Sequence, residues 1–144
     1  MSINTRRMAA TPEQTWEVLA DGWLYPLWVV GATRMREVDE GWPGVGTRLH
    51  HSVGTWPFTF DDDTEVLEVQ AGSMLRLRAR TWPAGSAEVV IRLGAAGAET
   101  DVSIEEDVVH GPARLVPSPF RNLGMKARNV ETLQRLAYVV ENRP

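Results

Sequence analysis

The C-terminal stretch from about Pro117 to Glu141 is the only part of the chain whose pattern is that of a long helix. Apolar residues recur at steps of three and four, and charged residues fall mostly between them. That spacing predicts one apolar stripe along about six helical turns. A stripe of this length must be buried against something, so the helix constrains the rest of the fold. The stripe consists of Phe120, Leu123, Ala127, Val130, Leu133, Ala137 and Val140.

Prolines mark where this helix begins, because proline is tolerated in the first turn but not in the interior. Pro117 and Pro119 therefore place the start of the helix. Ser118 is predicted to be the N-cap, since a serine hydroxyl can accept a hydrogen bond from a free backbone amide of the first turn.

The N-terminal part predicts one strand, Ser2–Met8, followed by two short helices. Thr11 can cap the first helix, Pro12 suits its first position, and Gln14 completes the spacing of a capping box. The second short helix is predicted over Leu24–Val30, where the sequence is apolar almost all round and therefore buried or lining a cavity. The first helix is predicted to bury Trp16, Leu19 and Ala20 and to stop at Gly22.

Between Thr33 and Val109 the apolar period changes from 3.6 to 2, which is typical of β-strands. Glycine- and proline-rich turns separate the runs, and the short joins predict an antiparallel meander. Trp56-Pro57 indicates a bulge or a sheet edge. The predicted strands are Thr33–Asp39, Thr47–Trp56, Phe58–Val69, Met74–Trp82, Ala87–Leu93 and Thr100–Val109.

Together these elements predict an α+β fold. A curved antiparallel sheet of six to seven strands would wrap around the long C-terminal helix, with the two short helices after the first strand. The 144 residues indicate a single domain spanning positions 1–144. A lipocalin-like barrel and a nuclear-transport-factor-like cone remain alternatives, but both place their helices differently, and the length of the last helix argues against them.

Composition excludes several classes of function. The formal net charge of −4 provides no basic field for nucleic acid. The absence of cysteine excludes disulfides and thiolate chemistry. No apolar run approaches the roughly 20 residues of a membrane span, and the N-terminus lacks the pattern of a signal peptide, so a cytoplasmic protein is expected.

Signatures of metal, phosphate and nucleophile chemistry are missing from the sequence, which has no H-E-x-x-H, P-loop or G-x-S-x-G. His50 and His51 are adjacent, so in a strand they face opposite ways and cannot chelate one metal together. The run Asp61–Asp63 lacks the spacing of a calcium loop and is predicted to be a charged turn or bulge. Neither a metal nor a cofactor is therefore expected.

Several short motifs lie within these elements or between them. They are Gly22-Trp23, Trp28-Val29-Val30-Gly31, Trp42-Pro43-Gly44-Val45-Gly46, Glu105-Glu106, Gly111-Pro112-Ala113-Arg114 and Arg128-Asn129. With the order of elements, they resemble the START-like helix-grip (SRPBCC) superfamily, and within it the bacterial polyketide cyclase/dehydrase and lipid transport proteins. The resemblance implies a deep cavity between helix and sheet that holds an apolar small molecule. Members include carriers, cyclases, hydrolases and hormone sensors, so the fold alone does not choose a function.

Alternation along the strands predicts which side chains face the long helix. Leu49 sets the inner phase of its strand, and His51 shares it. Val102 and Ile104 set the inner phase of the last strand, and Glu106 shares it. Two titratable groups are therefore predicted to face an otherwise apolar interior, where a carboxylate is costly unless it is paired or protonated.

Three interpretations of these two groups stay open. Glu106 and His51 are weak catalytic candidates, as acid, base or hydrogen-bonding groups lining a ligand cavity. Alternatively, Glu106 forms a structural ion pair with Arg128 or Arg114. A bulge that turns either Glu106 or His51 into solvent is the third interpretation.

Tyr25 and Trp28 join the predicted ligand contacts, because the second short helix forms the cavity mouth in the proteins that this chain resembles. The other aromatic residues, Trp16, Trp23, Trp56, Phe58, Phe60 and Trp82, are more typical of a core. Arg76, Arg78 and Arg80 are predicted to form an outward, solvated row. The full predicted ligand set is Tyr25, Trp28, Leu49, His51, Leu77, Ile91, Glu106 and Arg128.

Two functional hypotheses follow. In the first, the protein is a carrier or sensor that binds a small hydrophobic or aromatic molecule, lipid- or polyketide-like, without a cofactor. In the second, it is a polyketide aromatase/cyclase that moves protons with His51, Glu106 or Tyr25, since aldol closure needs a base near a carbon acid and a donor near the carbonyl. A protein-interaction role for the outer sheet face has no positive sign in the sequence.

Overall fold

A computed structural model describes residues 2–30, 32–55, 58–81, 85–111, 115 and 117–142 of the protein. Within these ranges the side chains of residues 33, 53–55, 58–60, 81, 110, 118 and 120–122 are not described. The predictions that concern Trp56, Trp82 and Arg114, and the side chains of Phe58, Phe60 and Phe120, therefore lie outside the described part.

Seven strands and three α-helices make up the described chain, together with a short 3₁₀ turn at Gly22–Leu24. The strands are β1 (Ser2–Met8), β2 (Ala32–Val38), β3 (Arg48–Thr55), β4 (Phe58–Gln70), β5 (Met74–Thr81), β6 (Gly85–Ala96) and β7 (Glu99–His110). The helices are α1 (Pro12–Leu19), α2 (Tyr25–Trp28) and α3 (Ser118–Glu141). No helix in the described residues is long and apolar enough to cross a membrane.

The strands form one antiparallel sheet in the order β1-β7-β6-β5-β4-β3-β2. This confirms the predicted meander, with the N-terminal strand added beside the last one. The bulge or edge predicted at Trp56-Pro57 lies outside the described residues, and on either side of it Thr55 pairs with Phe58. The predicted α+β helix-grip class is confirmed.

The capping box at the start of α1 is present as predicted. The Gln14 amide donates to Thr11 Oγ1 at 3.2 Å, and the Thr11 amide donates to Gln14 Oε1 at 2.9 Å. The predicted buried side is only partly right. Trp16 and Ala20 are half-buried, and the buried residues of α1 are Thr15, Val18 and Leu19.

The long helix α3 is confirmed, but half of its predicted stripe is wrong. Its C-terminal half buries Leu133, Leu136, Ala137 and Val140 in the main core. In the N-terminal half, however, Leu123, Ala127 and Val130 are exposed. The steps from Leu123 to Val140 average less than 3.6 residues, so the stripe drifts by about 100° around the helix. The buried face there is formed instead by Met125, Asn129 and Thr132.

The cap of α3 also differs from the prediction. The helix begins at Ser118, so this serine is the first helical residue and Pro117 stands in the cap position. Pro119 lies in the first turn, where its missing amide removes no helical hydrogen bond.

Candidate functional site

Five of the predicted ligand contacts lie on the inner face of the sheet, and the other three, Tyr25, Trp28 and Arg128, lie on α2 and α3. Seven of the eight predicted ligand contacts are buried, and Arg128 is half-buried. His51 and Glu106 retain only 2% and 4% of their accessible surface, so the alternation argument placed both correctly. The alternative in which a bulge turns them into solvent is wrong.

Tyr25 is the centre of an aromatic group at the inner face. Its ring stacks on the His51 ring with centroids 5.4 Å apart and an interplanar angle of 27°. The Tyr25 and Trp28 rings have an edge-to-face arrangement, with centroids 5.3 Å apart and an interplanar angle of 66°. Helix α2 brings Tyr25 and Trp28 to one side, because residues three apart lie on the same helical face.

A buried hydrogen-bond chain joins Tyr25 to His51 through Thr64. Thr64 Oγ1 lies 3.2 Å from the Tyr25 hydroxyl and 2.9 Å from His51 Nε2. Thr64 pairs with Leu49 across β3 and β4, which puts it beside His51 on the inner face. Sequence reasoning missed Thr64, although it shares the inward phase of Val66 in β4.

Burial shifts the pKa values of Tyr25 and His51, the two residues at the ends of these hydrogen bonds. It raises the pKa of Tyr25 to about 12, against the opposing effects of the Thr64 hydrogen bond and the Arg128 charge. It lowers the pKa of His51 below its ordinary value, although the charges of Asp62 and Asp63 raise it in part. At neutral pH the tyrosine therefore keeps its proton and the imidazole is uncharged.

Glu106 forms an ion pair with Arg128 of α3, through Oε2 and Nη2. The Arg128 side chain retains 35% of its exposure, whereas that of Glu106 retains 4%. The structure thus selects Arg128 as the predicted partner, while Arg114 lies outside the described residues. The charges of Arg128 and Glu106 act in opposite directions on the pKa of Tyr25, so the ion pair lies within electrostatic range of the aromatic group.

Several buried polar atoms in this interior have no hydrogen-bond partner within the described part of the chain. They are Trp28 Nε1, His51 Nδ1, Glu106 Oε1 and Asn129 Nδ2. Native proteins pair more than about 90% of such groups, and each unpaired one costs about 1–3 kcal/mol. The atoms comprise two donors, one acceptor and one imidazole nitrogen whose role depends on the tautomer. Such a group can hydrogen-bond to an oxygenated molecule.

Among the described residues, part of the inner face beside Glu106 is not fully covered. Ala79, Val89 and Val108 have the inward phase but are only half-buried. Val89 pairs directly with Glu106, and Ala87 connects Ala79 to Val108 across the sheet. Two alanines in the middle of a concave sheet leave more room than larger side chains would. Accessible surface therefore adjoins the buried carboxylate.

Two of the aromatic residues lie elsewhere. Trp16 and Trp23 line a surface cleft of about 550 Å³ together with Trp42 of the loop between β2 and β3. Trp23 is 58% exposed, so it belongs neither to the core nor to the aromatic group around Tyr25.

The outer face carries exposed ion pairs. Arg76 pairs with Glu88 at 2.7 Å, and Arg92 pairs with Glu105. The predicted outward row of arginines is confirmed, since all its members are exposed.

The three consecutive aspartates are part of β4, so the predicted charged turn or bulge is wrong. Arg36 lies 3.5 Å from Asp61, and Arg48 lies 3.6 Å from Asp63. Arginines on neighbouring strands balance the acidic charges and allow the run to remain extended.

Known proteins resemble this chain in sequence pattern and in fold. The sequence model of the family described as "Polyketide cyclase / dehydrase and lipid transport" matches residues 4–141. A search of curated proteins found no match to the sequence.

Solved structures resemble the chain at low sequence identity. A Nitrosomonas europaea protein is 17% identical with a TM-score of 0.73, over 96% of this chain and 92% of that one. Ara h 8.0201 is 15% identical with a TM-score of 0.68, over 99% and 100% of the two chains. The di-domain ARO/CYC StfQ from the steffimycin biosynthetic pathway is 10% identical with a TM-score of 0.72, over 96% of this chain and 49% of that one. At these identities the likeness shows the fold alone.

Proposed function

The chain belongs to the polyketide cyclase / dehydrase and lipid transport family, and from that premise we propose that it is a carrier or sensor of a small hydrophobic or aromatic molecule. The ligand, lipid- or polyketide-like, binds between α3 and the inner face of the sheet. The observation that carries this proposal is the set of unpaired buried polar atoms on Trp28, His51, Glu106 and Asn129. A structural core gains nothing from leaving such atoms unpaired, whereas a bound molecule can satisfy them.

The surroundings of these atoms fit the proposal. Rings of Tyr25, Trp28 and His51 offer flat apolar surface, and the half-buried inner residues lie next to Glu106. Small-molecule sites are typically apolar with a few placed polar groups. The unpaired atoms are shielded from solvent, so a ligand reaches them by displacing neighbouring side chains.

Binding of a solvatochromic dye tests this function. The dye should bind the native protein, shift its own emission and change the tryptophan emission. Trp28→Ala should weaken binding by about tenfold or more, because it removes an aromatic wall of the site. Trp23→Ala is the matched control, since that indole is exposed and lines the surface cleft with Trp16 and Trp42. No dye binding, or a larger loss in Trp23→Ala, would contradict the proposed site.

The buried hydrogen bonds that join Tyr25 to His51 through Thr64 favour a second candidate, a polyketide aromatase/cyclase. A neutral buried imidazole can accept a proton from a carbon acid, and a protonated tyrosine can donate to a developing enolate. The pKa shifts of His51 and Tyr25 keep these groups in those forms at neutral pH.

Turnover of a linear poly-ketone thioester, followed by mass spectrometry, tests this candidate. His51→Gln should lower the rate by about two to four orders of magnitude with little change in dye affinity. His50→Gln should leave the rate unchanged, because His50 pairs with Asp39 on the outer side. A wild-type protein that binds the dye but converts none of the thioester would support the carrier or sensor instead.

A further inference from the structure

We infer that the ligand of this interior is an uncharged aromatic molecule carrying at least one hydroxyl and one carbonyl oxygen, and that Glu106 excludes carboxylate ligands. The inference rests on the proposed function, since it names the chemistry of the molecule that the same interior would bind. It follows from which polar atoms are already paired and which are not.

Arg128 provides the cationic group at this site, and Glu106 already neutralises it. One oxygen of Glu106 contacts the guanidinium, and its other oxygen, Oε1, has no partner in the described residues. A ligand carboxylate near this pair would meet a second negative charge where solvent screening is weak. An arginine with no acid beside it would instead be an anion receptor. The glutamate thus converts an anion site into a site for a hydrogen-bond donor.

The unpaired atoms define the ligand's complementary groups. Glu106 Oε1 can only accept, so the ligand must supply a hydroxyl or another donor there. Trp28 Nε1 and Asn129 Nδ2 can only donate, so the ligand must also carry an acceptor oxygen. A hydrocarbon chain satisfies none of these atoms, and a fatty acid adds a charge that the site repels.

The aromatic part of the ligand follows from Tyr25. Its ring contacts both Trp28 and His51, and the charges of Glu106 and Arg128 affect the pKa of its hydroxyl. A planar molecule lying against these rings would contact the Trp28 ring, which carries the unpaired indole donor. Offset and edge-to-face ring contacts favour such a molecule over a flexible chain of equal area.

Three ligands on one scaffold test the inference with the wild-type protein. They are an acetylnaphthol, its methyl ether and the corresponding hydroxynaphthoate, titrated at about pH 7, where the phenol is protonated and the acid is not. We expect the acetylnaphthol to bind most tightly. The methyl ether should bind about 10- to 100-fold more weakly, because it cannot donate to Glu106. The hydroxynaphthoate should bind more weakly still, because of its charge.

The outcomes separate this inference from the proposed function. If none of the three molecules and no dye binds, the proposed function itself fails. If the acetylnaphthol and its ether bind equally, or if the hydroxynaphthoate binds best, the site does bind small aromatic molecules and the inference is overturned.

Substitution of Glu106 should reverse the preference for uncharged ligands over carboxylates. Glu106→Gln leaves Arg128 unpaired, so the hydroxynaphthoate should gain at least about tenfold in affinity and become the preferred ligand. Glu106→Gln/Arg128→Gln leaves no buried charge and serves if the single variant does not fold. It should gain no affinity for the hydroxynaphthoate, and it should still prefer the acetylnaphthol to its methyl ether, because a glutamine amide oxygen can accept the same hydrogen bond. Glu105→Gln is the control on the outer face and should change none of the affinities. Failure of the anion to gain in a folded Glu106→Gln protein would contradict the role of Glu106.

Discussion

The two faces of the sheet place the same residue types in opposite environments. Glu105 and Glu106 are neighbours in β7, and each pairs with an arginine. The outer pair, Glu105 with Arg92, keeps 29% and 56% of its side-chain exposure, whereas the inner glutamate keeps 4%. Solvent screens the outer pair, so it is worth about 0–1 kcal/mol. The inner pair contributes little net stability, but loss of Arg128 would leave the buried carboxylate of Glu106 without a partner.

The adjacent histidines repeat the contrast. His50 Nε2 lies 2.8 Å from Asp39 Oδ1 in a half-exposed pair. His51 is buried, stacked on Tyr25 and bonded to Thr64. The outer face is therefore polar because it meets water, and the inner face is polar at a few positions that water does not reach. Those few positions are where the proposed function lies.

The strongest way to break the comparison is to uncover the inner face. A chain ending before Val130 loses the buried end of α3, and each lost core residue of leucine size costs about 2–5 kcal/mol against a total stability of about 5–15 kcal/mol. We expect no cooperative thermal transition by circular dichroism. A chain ending after Glu141 is the control and should melt as the full protein does, because Glu141 keeps its contact with the Ala9 amide. A cooperative transition in the shorter chain would contradict this architecture.

Matched glutamate substitutions sharpen the comparison next. Glu106→Gln should lower the free energy of unfolding by about 1–3 kcal/mol, because Arg128 loses its partner but still has a third of its side chain exposed to solvent. Glu105→Gln should lower it by about 1 kcal/mol or less. Urea unfolding of both variants measures the difference. Adding Arg128→Gln to the inner variant should recover part of the loss, and equal losses from the two single variants would refute the contrast.

Apolar neighbours in β6 test whether the contrast extends beyond charge. Ile91 is 1% exposed on the inner face, and Val90 is half-buried on the outer one. Ile91→Ala should cost about 2–5 kcal/mol. Val90→Ala should cost about 1 kcal/mol or less. Thermal melts of the two variants compare them directly, and a Val90→Ala loss as large as that of Ile91→Ala would indicate that both faces are packed.

The smallest expected effect concerns pH. Burial lowers the pKa of His51 in the folded state, so below its ordinary value of about 6.5 the unfolded chain binds the proton more readily. Stability from this group is therefore complete above about pH 6.5 and is lost as the pH falls from there towards the folded pKa. Urea unfolding between about pH 5 and 7.5 should show this loss in the wild type and in His50→Gln. It should be absent in His51→Gln, and an unchanged pH profile in that variant would contradict a buried neutral imidazole.

Local patterns in the sequence determined much of this protein. Alternation with period 2 is a property of a single strand, so it assigned His51 and Glu106 to the inner face before any strand was paired. The capping box at Thr11 is equally local, since its two hydrogen bonds join residues three apart. Short connections between strands were enough for the meander, because neighbours in sequence then pair.

Tertiary structure alone decided the rest. Arg128 and Arg114 were equivalent as partners of Glu106 in the sequence, and only the rotation of α3 brought Arg128 to the carboxylate. The same rotation exposed Leu123 and buried Asn129. A helix packs the face that best fits its neighbours against the sheet, and this need not be the face with the most apolar residues. Thr64 became part of the site only when pairing of β3 with β4 set it beside His51. Contacts between residues distant in sequence depend on how the elements pack, and the periodicity of a single strand or helix carries no information about that packing.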